Sequence, residues 1–210
     1  REGSTQVQAT SFCQAILDGD LPPVIPDVTK SRHAMTLPAA RMPRIRSYVS
    51  VPVTLSDGTL YGTFCAAGLT TDKGLTKRDQ ALMEVLAAAA ATVIEPSVEG
   101  RRRENEIRAR LQPVISSGGP LVVLQPIVAL RDGRRIGSEA LSRFPAEWSM
   151  APDVVFTEAD AIHARTQLEL LALRGAAAHL HSTSGYVAIN LSPDVLLEPS
   201  CAELLRDLTA

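Results

Sequence analysis

Ser138-Glu139-Ala140-Leu141-Ser142-Arg143-Phe144 decides the fold of the second half of the chain. It places one carboxylate near the end of an apolar segment, with an arginine four residues on. Upstream, Leu121 to Leu130 reads as a strand, and Asp132-Gly133 supplies a tight hairpin turn into Arg135 to Leu141. Downstream, Tyr186 to Leu191 reads as a short buried strand that delivers Asn190 to its end. Between them, Pro152 to about Leu180 is predicted helical, with Leu168, Leu171 and Ala172 on one face and Gly185 as the breaker. Ser192-Pro193 then opens another helix, with proline at its first position. A hairpin followed by helix, strand and helix predicts parallel α/β architecture after an initial antiparallel pair.

The first half reads differently. Phe12 to Leu17 suits a short helix, and Asp18 to Asp27 is a loop carrying Pro22, Pro23 and Pro26. Ser47 to Leu55 and Leu60 to Ala67 are strands joined at Asp57-Gly58. Thr76-Lys77-Arg78-Asp79 is a variant capping box. It starts a helix in which Leu82, Val85, Leu86, Ala89 and Val93 recur at helical spacing. Pro96 is expected to interrupt this helix, with Glu99 to Leu111 as a short polar connecting helix and Ser116-Ser117-Gly118-Gly119-Pro120 as a flexible break. The reading is an α+β module over 1–96, a helical linker over 97–119 and an α/β unit over 120–210.

Composition narrows the function classes. A net charge of −2 over 210 residues gives no basis for binding nucleic-acid polymers or membrane surfaces. Arg101-Arg102-Arg103 is diluted at once by Glu104 and Glu106. The longest apolar stretch, Val85 to Ile94, is half of what a bilayer needs. Cys13, Cys65 and Cys201 are far apart and form no CxxC, which points to a reducing compartment and a cytoplasmic setting. Cys13 has no histidine beside it for chromophore attachment, so Cys13 and Cys65 are expected to be buried apolar residues. The chain begins at Arg1 and ends at Ala210 inside an expected helix, so it reads as a segment of a longer protein.

Glu139 and Asn190 offer hard oxygen ligands at or near strand ends, suited to Mg²⁺ or Mn²⁺. Arg143 can clamp a phosphate with its forked donors, and Gln125 can hydrogen-bond a base or phosphate edge. From spacing alone, Glu139 is more often a structural ion-pair partner, and Asn190 more often a cap or turn residue. Trp148 reads as packing, and Tyr48 and Tyr61 as cross-strand packing or pocket lining.

Three ordered blocks change that balance. Leu124-Gln125-Pro126-Ile127-Val128, Gly137-Ser138-Glu139-Ala140-Leu141-Ser142-Arg143-Phe144 and Ala188-Ile189-Asn190-Leu191-Ser192-Pro193 together resemble the EAL family of cyclic di-GMP phosphodiesterases. The resemblance implies a TIM-barrel variant whose first strand is antiparallel to the rest. It also implies metal ligation by Glu139 and Asn190, phosphate contact by Arg143 and a nucleotide-lining role for Gln125. Residues 156–163 match the family only loosely. The later acidic ligands and catalytic lysine of the family have no counterpart up to Ala210, and a full barrel needs about 250 residues. The barrel is therefore expected to be incomplete and this stretch alone inactive.

The first half resembles a GAF domain, through Phe12-Cys13-Gln14-Ala15-Ile16-Leu17-Asp18-Gly19, Val24-Ile25-Pro26-Asp27-Val28, Ser47-Tyr48-Val49-Ser50-Val51-Pro52-Val53 and 56–65. The match runs over about residues 5–95, with the first strands of such a domain missing. Taken together, the resemblances imply a bacterial signalling protein. Its GAF sensor, with an unknown small ligand, would control hydrolysis of cyclic di-GMP to linear pGpG. The alternatives are a cyclic di-GMP receptor without catalysis and a GAF-led homodimerisation module.

Overall fold

The computed structural model describes residues 10–41 and 44–209. The start of the GAF-like stretch and Ala210 lie outside the described residues. The chain divides into two compact units, Arg1–Glu99 and Gly100–Ala210.

In the first unit, helix α1 (Phe12–Leu17) is started by Ser11, whose side chain accepts from Gln14 N–H at 3.1 Å. Its buried residues, Phe12 and Ala15, enter a core with Leu21, Ile25, Val28 and Tyr48. Two short helices, α2 (Arg32–Thr36) and α3 (Pro38–Arg41), follow the two-residue strand β1 (Val24–Ile25). Strands β2 (Ser47–Thr54) and β3 (Leu60–Gly68) complete an antiparallel sheet of order β1-β2-β3. Asp57-Gly58 makes the expected turn, with Asp57 accepting from Thr59 N–H at 2.8 Å. Alternation along β2 sends Tyr48 and Ser50 to one face and Val51 and Val53 to the other. The valine face packs on Ala87 and Ala91 of the following helix.

That helix, α4, spans Lys77–Ser116 without a break. The capping box forms: Asp79 accepts from Thr76 N–H at 2.8 Å, and Thr76 Oγ1 accepts from Arg78 N–H at 3.3 Å. The expected interruption at Pro96 does not occur. Proline removes one ladder bond, but the alanine run Ala87–Ala91 before it and the Arg- and Glu-rich segment after Gly100 are good helix formers, and the helix runs through. The small alanines at 87 and 91 are buried against the sheet, with Met83 and Val98 partly buried beside them. Leu82, Val85, Leu86 and Val93 stay exposed. By length and composition α4 could cross a membrane. Its uncharged run between Glu84 and Glu95 is about half of a span.

In the second unit, Ile107 and Leu111 of α4 are buried against Val155, Ala159, Ile162 and Leu168. Strands β4 (Leu121–Val128), β5 (Arg135–Arg143) and β6 (Tyr186–Ile189) form a mixed sheet of order β4-β5-β6. The first pair is antiparallel and the second parallel. The long helix expected over 152–180 is two: α5 (Pro152–Ala161) and α6 (Arg165–Ala177). His163 takes a left-handed conformation between them. Ala164 N–H donates to Ala159 O at 2.8 Å and His163 N–H to Asp160 O at 2.9 Å, a Schellman closure with histidine in the glycine position. Ala176 of α6 covers Val122, Leu124, Ala140, Val187 and Ile189, one face of the sheet. Helices α7 (Pro193–Leu196) and α8 (Pro199–Thr209) follow, with Cys201 and Leu204 packed on Leu173. Both units are thus mixed α and β, each built on a small three-stranded sheet.

Candidate active site

Glu139 sits in the middle of the three-stranded sheet, paired with Gln125 on β4 and Ala188 on β6. Paired residues share a face, and so do residues two apart on a strand. Gln125, Glu139 and Leu141 therefore lie on the face opposite α6. Asn190, two residues past Ala188, follows β6 directly. Its Nδ2 donates to Glu139 Oε1 at 2.9 Å. Two candidate ligands 51 residues apart are thus brought into contact.

The local sequence explains this placement. The β4–β5 turn closes with Gly133 N–H donating to Ala129 O and Ala129 N–H to Arg134 O, both at 2.8 Å. Pro126, which cannot donate to a ladder, is tolerated because β4 has a neighbour on one side only. After Asn190 the chain is held by Glu169 on α6. This buried carboxylate accepts from Ser192 N–H at 2.7 Å and from Arg165 Nε at 2.8 Å. Ser192 and Pro193 do open a helix, but the Ser192 side chain makes no cap bond there.

Arg143, at the end of β5, and Asn190 line a cavity of about 560 Å³, within the range of small-ligand sites. Ser142, Phe156, Arg165 and Ile189 share its wall. Arg143 is exposed and donates to the Ser142 carbonyl at 3.0 Å, which leaves most of its guanidinium donors free for an anion. Gln125 is exposed on the same sheet face as Glu139. Trp148 is packing, stacked on Phe144 at 5.8 Å and covered by Arg110 at 5.6 Å.

A divalent ion fits Glu139 and Asn190 as part of a ligand set. Neighbouring oxygens around an octahedral Mg²⁺ are about 3 Å apart, close to the observed contact, and a turn of the Asn190 amide would present Oδ1. Among the described residues, no group of three or more His, Cys, Asp or Glu side chains gathers to hold a metal. The sequence reading missed Glu169, although Arg165 and Glu169 at helical i,i+4 spacing carry a usable signal.

The first unit holds a second cluster that the sequence reading missed. Cys13 Sγ lies 2.9 Å from Tyr48 Oη, and Cys13 also meets Cys65, Thr63 and Ser50. Neither cysteine is the buried apolar residue expected: Cys13 is half-buried and Cys65 exposed, while Cys201 is fully buried. Hydrogen bonding from Cys65, ahead of that from Thr63, Tyr48 and Ser50, holds the Cys13 thiol down at about 5. The same contact, with burial, pushes Cys65 up. Burial, then contact with Cys13, pushes the Tyr48 phenol up.

The chain is 31% identical over 115 residues to the probable cyclic di-GMP phosphodiesterase PdeB of Escherichia coli (strain K12). That alignment covers 51% of this chain and 22% of PdeB, so the chain spans about a fifth of the relative's length. Residues 1–94 match the family model of the GAF domain, which places a GAF domain in the first unit.

Proposed function

We propose that the second unit is the front of an EAL-type domain, and that the longer protein carrying it hydrolyses cyclic di-GMP to linear pGpG under control of the GAF domain. One observation carries this reading: Glu139 of β5 and Asn190, just past the end of β6, meet at 2.9 Å on the sheet face that also bears Gln125. In a closed barrel that face would line the interior. The likeness to PdeB, named a probable cyclic di-GMP phosphodiesterase, supports it.

Glu139 and Asn190 would hold Mg²⁺ or Mn²⁺ together with acidic groups supplied from elsewhere in the longer protein. Such an ion, when bound, polarises a phosphodiester and lowers the pKa of a bound water. Arg143 would anchor a substrate phosphate at the end of β5, and Gln125 would fix the nucleotide edge. The setting is cytoplasmic in this reading, and the unknown GAF ligand acts through α4. The exposed Leu82, Val85, Leu86 and Val93 stripe is the surface we assign to homodimerisation.

The test is hydrolysis of cyclic di-GMP by the longer protein with Mg²⁺ or Mn²⁺, followed by chromatography. We expect linear dinucleotide only with metal, and a loss of about a hundredfold or more in Glu139→Ala. Unchanged turnover in that variant removes Glu139 from the ligand set. A second reading is a receptor that binds cyclic di-GMP without cleaving it, which needs only the exposed phosphate and nucleotide contacts of Arg143 and Gln125. Saturable binding with no product would select it.

A further inference from the structure

The cluster around Cys13 takes no part in phosphodiester chemistry. It is built from three elements of the first unit. Strand register sets Cys65 of β3 opposite Ser50 of β2. Tyr48 and Thr63, each two residues before these, share their face. Helix α1 lays Cys13 on that face, 2.9 Å from the Tyr48 hydroxyl and against the Cys65 thiol. The buried Ser50 hydroxyl meets no other partner among the described residues and turns its O–H to the Cys13 sulfur. The groups that meet Cys13 are thus two hydroxyls, a phenol and a second thiol. All can donate to a thiolate, and none carries a compensating charge.

Both sulfurs can be reached. Cys13 lines a cavity of about 300 Å³ with Gln14, Tyr61 and Thr63, and Cys65 is exposed. Cys201, fully buried in the other unit, has no such access. Two neighbouring thiols, one stabilised as thiolate and the other kept protonated, match the attacking and resolving cysteines of a peroxide-reactive site.

We propose that Cys13 and Cys65 form a peroxide-reactive dithiol site in the first unit, with Cys13 attacking and Cys65 resolving. The Cys13 thiolate attacks the peroxide, breaking the O–O bond and forming an S–O bond. The peroxide is reduced and leaves as the alcohol or water after taking up a proton, and Cys13 becomes the sulfenic acid. The Cys65 thiol then attacks the Cys13 sulfur. An S–S bond forms, the S–O bond breaks, and the oxygen leaves as water with the thiol proton. The pair has lost two electrons, and a dithiol reductant restores it by exchange.

The test uses the whole chain, reduced and then exposed to hydrogen peroxide, alkylated, digested and analysed by mass spectrometry. We expect a peptide pair joined through Cys13 and Cys65, released by dithiothreitol, with Cys201 left as thiol. Cys65→Ser should trap a dimedone-reactive sulfenic acid on Cys13, and Cys13→Ser should leave Cys65 reduced at the same exposure. At about pH 6 the folded chain should be alkylated by iodoacetamide at Cys13 about tenfold faster than the urea-unfolded chain. That ratio sets a larger thiolate fraction against its lower intrinsic nucleophilicity. Both cysteines remaining alkylatable after peroxide, Cys65 oxidising as readily in Cys13→Ser, or no rate advantage for folded Cys13 would each overturn the proposal. The alkylation comparison needs no variant and therefore stands even where a substitution unfolds the unit.

Discussion

The backbone N–H of Ser192 donates to Glu169 Oε2 at 2.7 Å, while Arg165 Nε holds Oε1 at 2.8 Å. A buried carboxylate on α6 therefore fixes the turn that follows Asn190. Glu169→Ala leaves the Ser192 amide without its acceptor and Arg165, about a third exposed, without its partner. Its cost should be about 2 kcal/mol, since Arg165 regains solvent on one side. Glu169→Gln keeps an acceptor for Ser192 and should cost about 1 kcal/mol. Urea unfolding checks both values. Hydrogen exchange should show the Ser192 amide losing protection in Glu169→Ala and retaining part of it in Glu169→Gln.

On α4, Leu82, Val85, Leu86 and Val93 recur at helical spacing and are exposed at 60%, 66%, 43% and 77%. Such a stripe on a charged helix suits association along its length. Val85→Glu combined with Val93→Glu should weaken self-association at least about tenfold in sedimentation equilibrium. Because neither residue contributes to the core, the unfolding midpoint should not move. A wild-type chain that stays monomeric at high concentration removes the interface.

Period-two alternation and Asp-Gly turns made most strands legible, because those signals are local. The capping box at Thr76 was legible for the same reason: Asp79 lies one turn from the group it caps. The continuous helix through Pro96 was not, since a proline's effect depends on whether its neighbours can carry the helix on. The choice of Ala87 and Ala91 over Leu82 and Val93 as the buried side was also hidden. Sequence periodicity marks apolar faces, whereas close approach to a sheet favours small residues. Glu139 and Asn190 could each be singled out, but their contact depends on strand order. The Cys13–Cys65 pairing depends on the register of β2 with β3 and on where α1 lies, and no spacing rule encodes either.

The thiol pair gives the first unit a pH signature. An ordinary cysteine titrates at about 8.5 when unfolded. Cys13 is held down at about 5 by the Cys65 hydrogen bond, so between these values the unfolded chain binds the extra proton. Stability from this group is present above the unfolded value and is lost as pH falls through about 5. Cys65 is pushed the other way, so its contribution is present below the unfolded value and fades as pH rises beyond it. Under reducing conditions the stability of this unit should rise from about pH 5 to about pH 8.5 and then decline. Cys13→Ser should flatten the rise, as read by urea titrations across that range.

Gly185 and Gly58 adopt nearly the same backbone, φ +85° and +82°, in very different surroundings. A Cβ at Gly58 would meet nothing within 4 Å, whereas one at Gly185 would lie 2.0 Å from the Ile136 carbonyl oxygen. That oxygen is backbone of β5, so it can yield only if β5 and β6 separate. Gly58→Ala should therefore cost about 1 kcal/mol, the penalty of a left-handed alanine alone. Gly185→Ala carries that penalty and the steric one, and should cost about 3 kcal/mol or more. Because the parallel β5–β6 ladder sets Asn190 beside Glu139, Gly185→Ala should also weaken divalent-ion binding by the longer protein, while Gly58→Ala should leave it unchanged. Urea unfolding and calorimetric metal titration of the two variants separate the backbone cost from the contact, since only Gly185 combines the two.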